Sequence, residues 1–353
     1  MSVLSLARAE IRALVPYSSA RMEAAAGGLL LNANESAWAP FGEAAGPEGN
    51  RYPDPQPAAL IERLAALYRV RPEQVLVGRG SDEPIDLLVR AFCRAGEDAI
   101  LIQPPTFGMY AVCARIQHAV VLEVPLGAKF ALDVEAVLAA LTPAVKLVFV
   151  CAPNNPTGAG VSLPAIERLA QRLAGRALLV VDEAYAEFTD AASAATLLDR
   201  HAHLAVLRTL SKAWALAGAR IGCLLAHADV IGLLRRILPP YPLPRPCVAA
   251  ALEALSPAGQ AAMRERVDVI RAERDRVATA LRGLAGARDV LPSQANFLTV
   301  RFDDAAAAYR RLLDAGIVVR DVRRYPRLHD ALRITLGAPV ENDRVLDALA
   351  GSP

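Results

Sequence analysis

The sequence predicts an α/β fold: a mostly parallel, mixed sheet covered by helices on both faces, joined to a smaller α+β unit. Three observations predict it. Short and almost uninterrupted apolar runs recur between Val75 and Ala226, with stretches of helical spacing between most of them. Runs that are apolar throughout, rather than alternating, suit strands buried on both faces. After the proline-rich stretch 239–246 the pattern changes to one long charged helix followed by strands and a helix in turn.

Taken in order, residues 1–40 begin with a short helical stretch and Pro16-Tyr17, and 29–32 reads as a brief strand. Residues 39–57 are rich in Gly and Pro and predict an irregular connection. Apolar spacing near ~3.6 residues predicts a helix over 58–68. Strand-like runs follow at 75–78, 99–103, 120–124, 147–151, 178–182, 204–207 and 221–226, with helical patterns at 84–93, 134–141 and 164–173. Beyond the prolines, a helix is expected over 257–282, strands at 297–302, 317–320 and 332–336, and a helix over 305–315. The large domain is expected to span 41–235, and the small one to combine 1–40 with 236–353. Ligands of such sheets bind beyond the carboxyl ends of the strands, so the residues just after each run are the candidates for chemistry.

The totals exclude several classes. Of 353 residues 54% are hydrophobic and 22% charged, and the net charge is only +2, which argues against a nucleic-acid or polybasic membrane surface. The arginines mostly alternate with acids, as in Arg264-Glu265-Arg266, which is how a solvated helix face reads. Five widely spaced cysteines with no CxxC make neither a disulfide framework nor a metal site, so a reducing cytoplasm is expected. Arg8, Glu10 and Arg12 interrupt any apolar leader, and no apolar run approaches the ~18 residues that span a bilayer.

Only three lysines occur, against 36 arginines, and arginine cannot replace a lysine amine in covalent chemistry. Lys129 and Lys146 read as surface charges. Lys212 follows a strand and the hydroxyl residues Thr209 and Ser211, and Arg220 lies eight residues on. A lysine amine titrates near ~10.4 in water, and burial or a cationic neighbour lowers that. So placed, it can condense with an aldehyde cofactor. Asp182 ends an apolar run and is followed by Glu183-Ala184-Tyr185. A carboxylate there can sit beside the ring nitrogen of pyridoxal phosphate, with Tyr185 donating to its phenolic oxygen; alone, it would read as a helix N-cap. Asn155, in the turn Ala152-Pro153-Asn154-Asn155-Pro156-Thr157-Gly158, can reach the same oxygen. Gly78-Arg79-Gly80-Ser81-Asp82 opens a helix and offers backbone N–H groups to a phosphate. Each motif is weak singly, but all four fall at strand ends.

Together these residues resemble the fold-type I pyridoxal-phosphate aminotransferases, and within them the histidinol-phosphate aminotransferases. The resemblance runs from Pro16 to about Gly337 and rests on Leu31-Asn32-Ala33-Asn34-Glu35, Arg51-Tyr52-Pro53, Pro105-Thr106-Phe107-Gly108-Met109-Tyr110, the Asn154-Asn155-Pro156-Thr157-Gly158 turn, Asp182-Glu183-Ala184-Tyr185, Ser211-Lys212 and Leu332-Arg333-Ile334-Thr335. It implies pyridoxal 5'-phosphate as cofactor, held by Lys212, with Asp182 at the pyridine nitrogen. Asn155 and Tyr185 would meet the phenolic oxygen. Gly80, Ser81, Asp82, Thr209, Ser211 and Arg220 would surround the phosphate, and Phe107 would stack on the ring. It also implies a homodimer with shared active sites, Tyr52 completing the neighbour's site. Arg333 would clamp the substrate α-carboxylate; Tyr17, Asn34 and Arg320 would serve the substrate, Tyr17 and Arg320 at its phosphate. Phe107 stands where the family usually has tyrosine, and the proline after Glu35 comes late. The implied reaction transfers an amine between histidinol phosphate and 2-oxoglutarate, with glutamate as the amino donor in reverse, and needs no metal. A related aminotransferase for aromatic or other amino acids, a phosphothreonine-type decarboxylase and a non-catalytic binding protein share the scaffold as alternatives.

Overall fold

The computed structural model describes residues 2–17, 31–40 and 49–351. Its first sheet has seven strands: β1 (Val75–Arg79), β2 (Ala99–Ile102), β3 (Val120–Glu123), β4 (Val145–Cys151), β5 (Leu178–Asp182), β6 (Leu204–Thr209) and β7 (Ile221–Ala226). They lie in the order β1-β7-β6-β5-β4-β2-β3. All seven expected runs are strands, and the five from β2 to β6 are mutually parallel. β7 is antiparallel to both β6 and β1. Only residues 210–220 join β6 to β7, without a helical crossover, so the chain turns back beside the strand it leaves.

Every residue of β5, β6 and β7 is buried, whereas the edge strand β3 is partly exposed throughout. Strand side chains alternate between faces. Along β5, Leu178 and Val180 therefore join the core under helices Asp82–Phe92, Met109–Ile116 and Ala228–Arg235. Leu179 and Val181 join the opposite core, under helices Ala58–Tyr68 and Leu163–Leu173. The same alternation puts Asp182 on the face that Met109–Ile116 covers. The N-terminal turn packs on this face too: Val3 and Ala7 are buried in its core, and the Arg236 guanidinium donates to the Arg12 and Leu14 carbonyls.

The second sheet is wholly antiparallel and contains β8 (Ala287–Val290), β9 (Phe297–Phe302), β10 (Arg320–Asp321) and β11 (Ala331–Thr335), in the order β10-β11-β9-β8. Helices Pro257–Arg282, Ala305–Asp314 and Pro339–Ala350 bury Val277, Leu281, Leu312 and Val345 against it. Gln294 N–H donates to Gly158 O at 2.8 Å, and the Thr299 hydroxyl donates to Pro156 O, so the Asn154–Gly158 turn is held by both sheets.

Some expectations shift. Residues 29 and 30 of the predicted strand 29–32 lie outside the described residues, and Leu31 and Asn32 form no strand. The strand expected at 317–320 begins only at Arg320 and runs to Asp321, because Gly316 turns the chain at φ +74° and Val318 points into solvent. Helix Arg245–Ala254 starts inside the proline-rich stretch, Pro246 occupying a first-turn position where its missing N–H costs nothing.

Candidate active site

Four strand ends and one strand of the second sheet meet around a cavity of about 240 Å³. It is lined by Gly80, Ser81, Asp82, Phe107, Cys151, Asn155, Asp182, Tyr185, Thr209, Ser211, Lys212, Arg220 and Arg333. Every residue expected at the cofactor is therefore in one place except Tyr52.

β5 delivers Asp182, which is 2% exposed. One carboxylate oxygen accepts the Tyr110 hydroxyl at 2.6 Å, the other the Ala184 N–H at 3.1 Å. Burial raises its pKa to about 6, and these two hydrogen bonds oppose the rise. No cation pairs with it among the described residues, so the site offers a buried negative charge held only by dipoles.

The turn after β4 carries Asn155. Its predecessor Asn154 is buried and bonded to Pro105 O, Thr106 Oγ1 and Thr157 Oγ1, which locks the turn. Asn155 Nδ2 then lies 3.4 Å from the Tyr185 hydroxyl, so two donors converge on one spot. Burial keeps the Tyr185 phenol protonated by raising its pKa.

The turn after β1 contains Gly80, whose φ of +69° favours glycine. A Cβ there would stand 2.8 Å from Arg220 Nη2. Gly222, across the β1–β7 pair, has the Gly80 and Ser81 backbone where its own Cβ would be. This close approach leaves the first turn of helix Asp82–Phe92 open beside the Arg220 guanidinium, and the Ser81 side chain makes no capping bond. Free N–H groups, a helix N-terminus and a guanidinium together form an anion cradle. Arg220 is held there by Asp82 Oδ2 at 3.1 Å.

After β6, Thr209 Oγ1 accepts the Ser211 N–H at 3.1 Å and donates to its hydroxyl at 3.0 Å, which starts the turn presenting Lys212. The Lys212 residue is exposed by area, yet its amine end lies in the cavity, 5.8 Å from the Tyr185 ring centre. Desolvation lowers its pKa, and the Arg333 and Arg220 charges push the same way, against Asp82 and Asp182. Among the described residues the amine makes no hydrogen bond or ion pair. Lys129 and Lys146 lie elsewhere: Lys146 bridges to Asp98 at 3.5 Å, and Lys129 faces a separate cleft.

Arg333 enters from β11. Its guanidinium donates to Asn155 Oδ1 and lies 5.1 Å from the Phe297 ring centre, while its buried Nε has no partner. That orphaned donor fits an incoming carboxylate. Arg320 faces it across the β10–β11 pair. Tyr52, Tyr17, Asn34 and Arg320 do not line the cavity: Tyr52 stacks on Tyr241 at 4.3 Å, Tyr17 lines a groove with Arg235 and Arg236, Asn34 is exposed at φ +54°, and Arg320 is exposed.

Two features escaped sequence reasoning. One is Tyr110, on Asp182. The other is Arg208 on β6, buried and bonded to Glu183 at 2.8 Å and Glu187 at 2.7 Å, its guanidinium 4.6 Å from the Tyr68 ring centre. This brace ties the segment bearing Asp182 and Tyr185 to the one bearing Lys212. The available signal was an arginine directly after the apolar run 204–207, with Glu183 and Glu187 following the run that ends in Asp182.

The cavity thus offers an amine of depressed basicity, an anion cradle, a buried carboxylate, paired oxygen donors and a carboxylate-binding guanidinium. The described residues contain no cluster of three metal-ligating side chains, and no helix among them is long and apolar enough to cross a membrane. The family model for class I and II aminotransferases matches residues 26–349. The histidinol-phosphate aminotransferase of Xanthomonas euvesicatoria pv. vesicatoria is 57% identical over 99% of this chain and 97% of its own. That of Stenotrophomonas maltophilia is also 57% identical, over 99% of this chain and 96% of its own. The crystal structure of histidinol-phosphate aminotransferase from Sinorhizobium meliloti in complex with pyridoxal-5'-phosphate superposes with a TM-score of 0.77, at 30% identity, covering 85% of this chain and 82% of that one. The chain belongs to the class I and II aminotransferase family.

Proposed function

We propose that the protein is a pyridoxal 5'-phosphate-dependent aminotransferase that exchanges an amine between histidinol phosphate and 2-oxoglutarate. The observation that carries the reading is the convergence of Lys212, Asp182 and the Gly80–Arg220 cradle on one cavity. The 57% identity with relatives of that activity supports the substrate.

The residues fit the cofactor. Ser81, Thr209, Ser211 and Arg220 would bind its phosphate, with Gly80 leaving room for the Arg220 guanidinium and Asp82 orienting it. Asp182 pairs with the ring nitrogen and keeps it protonated, Asn155 and Tyr185 hold the phenolic oxygen, and Phe107 covers the ring. When bound, pyridoxal phosphate supplies a carbonyl for the amine and a ring that absorbs the electron pair left at Cα. Lys212, its amine made less basic by its setting, attaches the cofactor and then takes and returns the proton at the substrate Cα. Arg333 grips the α-carboxylate of glutamate in a bidentate pair. Histidinol phosphate has no such carboxylate, so Arg320, Tyr17 and Asn34 are assigned to it, Tyr17 and Arg320 at its phosphate.

The same reading makes the protein a cytoplasmic homodimer in which Tyr52 reaches the neighbour's cavity; five free thiols support the compartment. It divides the chain into a cofactor domain, 41–235, and a small domain of 1–40 with 236–353, although Val3 and Ala7 pack under the large sheet. Glutamate alone, without an acceptor, should release 2-oxoglutarate stoichiometric with enzyme. Release of carbon dioxide instead would replace transamination by decarboxylation.

A further inference from the structure

We propose that Tyr110 is a positioning residue for Asp182: its hydroxyl fixes the Oδ2 edge of the carboxylate and holds it as an anion, so that the remaining lone pairs serve the ring nitrogen of the cofactor. The inference rests on the role given above to Asp182.

The geometry is well defined. Tyr110 lies in the first turn of helix Met109–Ile116 and has no exposed surface. Its ring stacks on Phe149 at 4.7 Å and 11°, and the edge contact with Phe107 is 5.5 Å. Two aromatic walls leave the ring no other seat, so the hydroxyl is delivered to one point, 2.6 Å from Asp182 Oδ2. A short bond to an ionised acceptor is roughly twice as strong as one between neutral groups. A carboxylate has about four lone-pair sites, and Tyr110 and Ala184 use two of them.

The surroundings make this donor matter. The titratable groups facing Asp182 are Tyr110, Cys151 on β4, Asp82, Glu183, Tyr185 and Lys212. Asp82 and Glu183 favour the protonated form, as burial does. Lys212 makes no ion pair with Asp182. Burial keeps both the Cys151 thiol and the Tyr110 phenol protonated, so the Tyr110 hydroxyl proton is available to Asp182. Besides the Ala184 N–H, it is the one hydrogen-bond donor to the carboxylate among the described residues. Without it Asp182 would take up a proton at higher pH, and a neutral acid cannot hold the ring nitrogen protonated.

The test is a double-mutant cycle on the full chain with Tyr110→Phe and Asp182→Asn. Phenylalanine keeps both aromatic contacts and removes only the hydroxyl. Two readouts are taken: the dissociation constant for pyridoxal 5'-phosphate between pH 6 and 8.5, and the pH dependence of unfolding of the cofactor-free protein. Tyr110→Phe should weaken cofactor binding by roughly 10- to 100-fold near pH 7 and move the pH at which binding falls off upward by about one unit. In the Asp182→Asn background it should cost less than about twofold, because the charge it serves is gone. Equal losses in both backgrounds would reduce Tyr110 to a packing residue and overturn the proposal, as would an unchanged pH profile. If no variant binds the cofactor, wild type included, the functional reading fails. The unfolding cycle then still decides whether Tyr110 and Asp182 are coupled.

Discussion

Replacing Gly80 by alanine should separate two properties that meet at one backbone position. At φ +69° an alanine costs roughly 1–2 kcal/mol of fold stability. Its Cβ would also stand 2.8 Å from Arg220 Nη2, so the guanidinium must move. The neighbour it loses in the fold, Asp82, is a half-exposed partner at 3.1 Å worth about 0–1 kcal/mol, so stability should fall by about 1–3 kcal/mol in total. The cofactor phosphate loses more: a charge-assisted hydrogen bond contributes about 1.5–3 kcal/mol, or roughly 10- to 100-fold in affinity. Titration of the cofactor-free protein with pyridoxal 5'-phosphate, beside urea unfolding, reads both numbers. Arg220→Ala should reproduce the affinity loss without the backbone strain. Gly222→Ala should destabilise more than Gly80→Ala, since its Cβ meets Ser81 N at 2.7 Å and backbone there cannot yield. Affinities within twofold of wild type for both Gly80→Ala and Arg220→Ala would refute the phosphate cradle.

Three further outcomes follow from the same geometry. Arg320→Ala should raise KM for histidinol phosphate roughly 10- to 100-fold while changing that for glutamate much less; an equal effect on both would remove Arg320 from the phosphate site. Arg208→Met leaves Glu183 and Glu187 buried without their cation and should cost about 3–5 kcal/mol in urea unfolding, and a loss below about 1 kcal/mol would show that the brace carries no weight. In cofactor-free protein the folded pKa of Asp182, about 6, exceeds its ordinary 3.8, so the folded state binds the extra proton and this residue's contribution to stability falls as pH rises from about 4 to about 6. Asp182→Asn should gain on wild type across that window by up to about 3 kcal/mol, and a difference independent of pH would contradict the burial argument.

Much of this site was legible because its parts are local. An apolar run ending in Asp182, a Pro/Gly turn bearing Asn155 and a lone lysine after two hydroxyl residues each carry their chemistry within a few positions. What stayed hidden depends on which faces meet. In the sequence Tyr110 only closes the Pro105–Tyr110 motif, with no role of its own, and it becomes a partner of Asp182 only because β5 turns that side chain toward Met109–Ile116. Arg208 looks like a surface cation until β6 is seen to be buried throughout. The reversal of β7 left no trace in its apolar composition, since a strand buried on both faces reads alike in either direction. Strand Ala287–Val290 was missed because its Arg288 and Asp289 face solvent at a sheet edge.

The central claim is that this cavity moves an amine onto and off histidinol phosphate. The most direct measurement is kcat/KM for histidinol phosphate beside that for aromatic amino acids, with 2-oxoglutarate as common acceptor. A value roughly 10- to 100-fold higher for histidinol phosphate is predicted, because its phosphate would gain a charged contact that the aromatic substrates lack. Equal values, or a preference for an aromatic amino acid, would contradict the substrate assignment while leaving the transaminase chemistry of Lys212 in place.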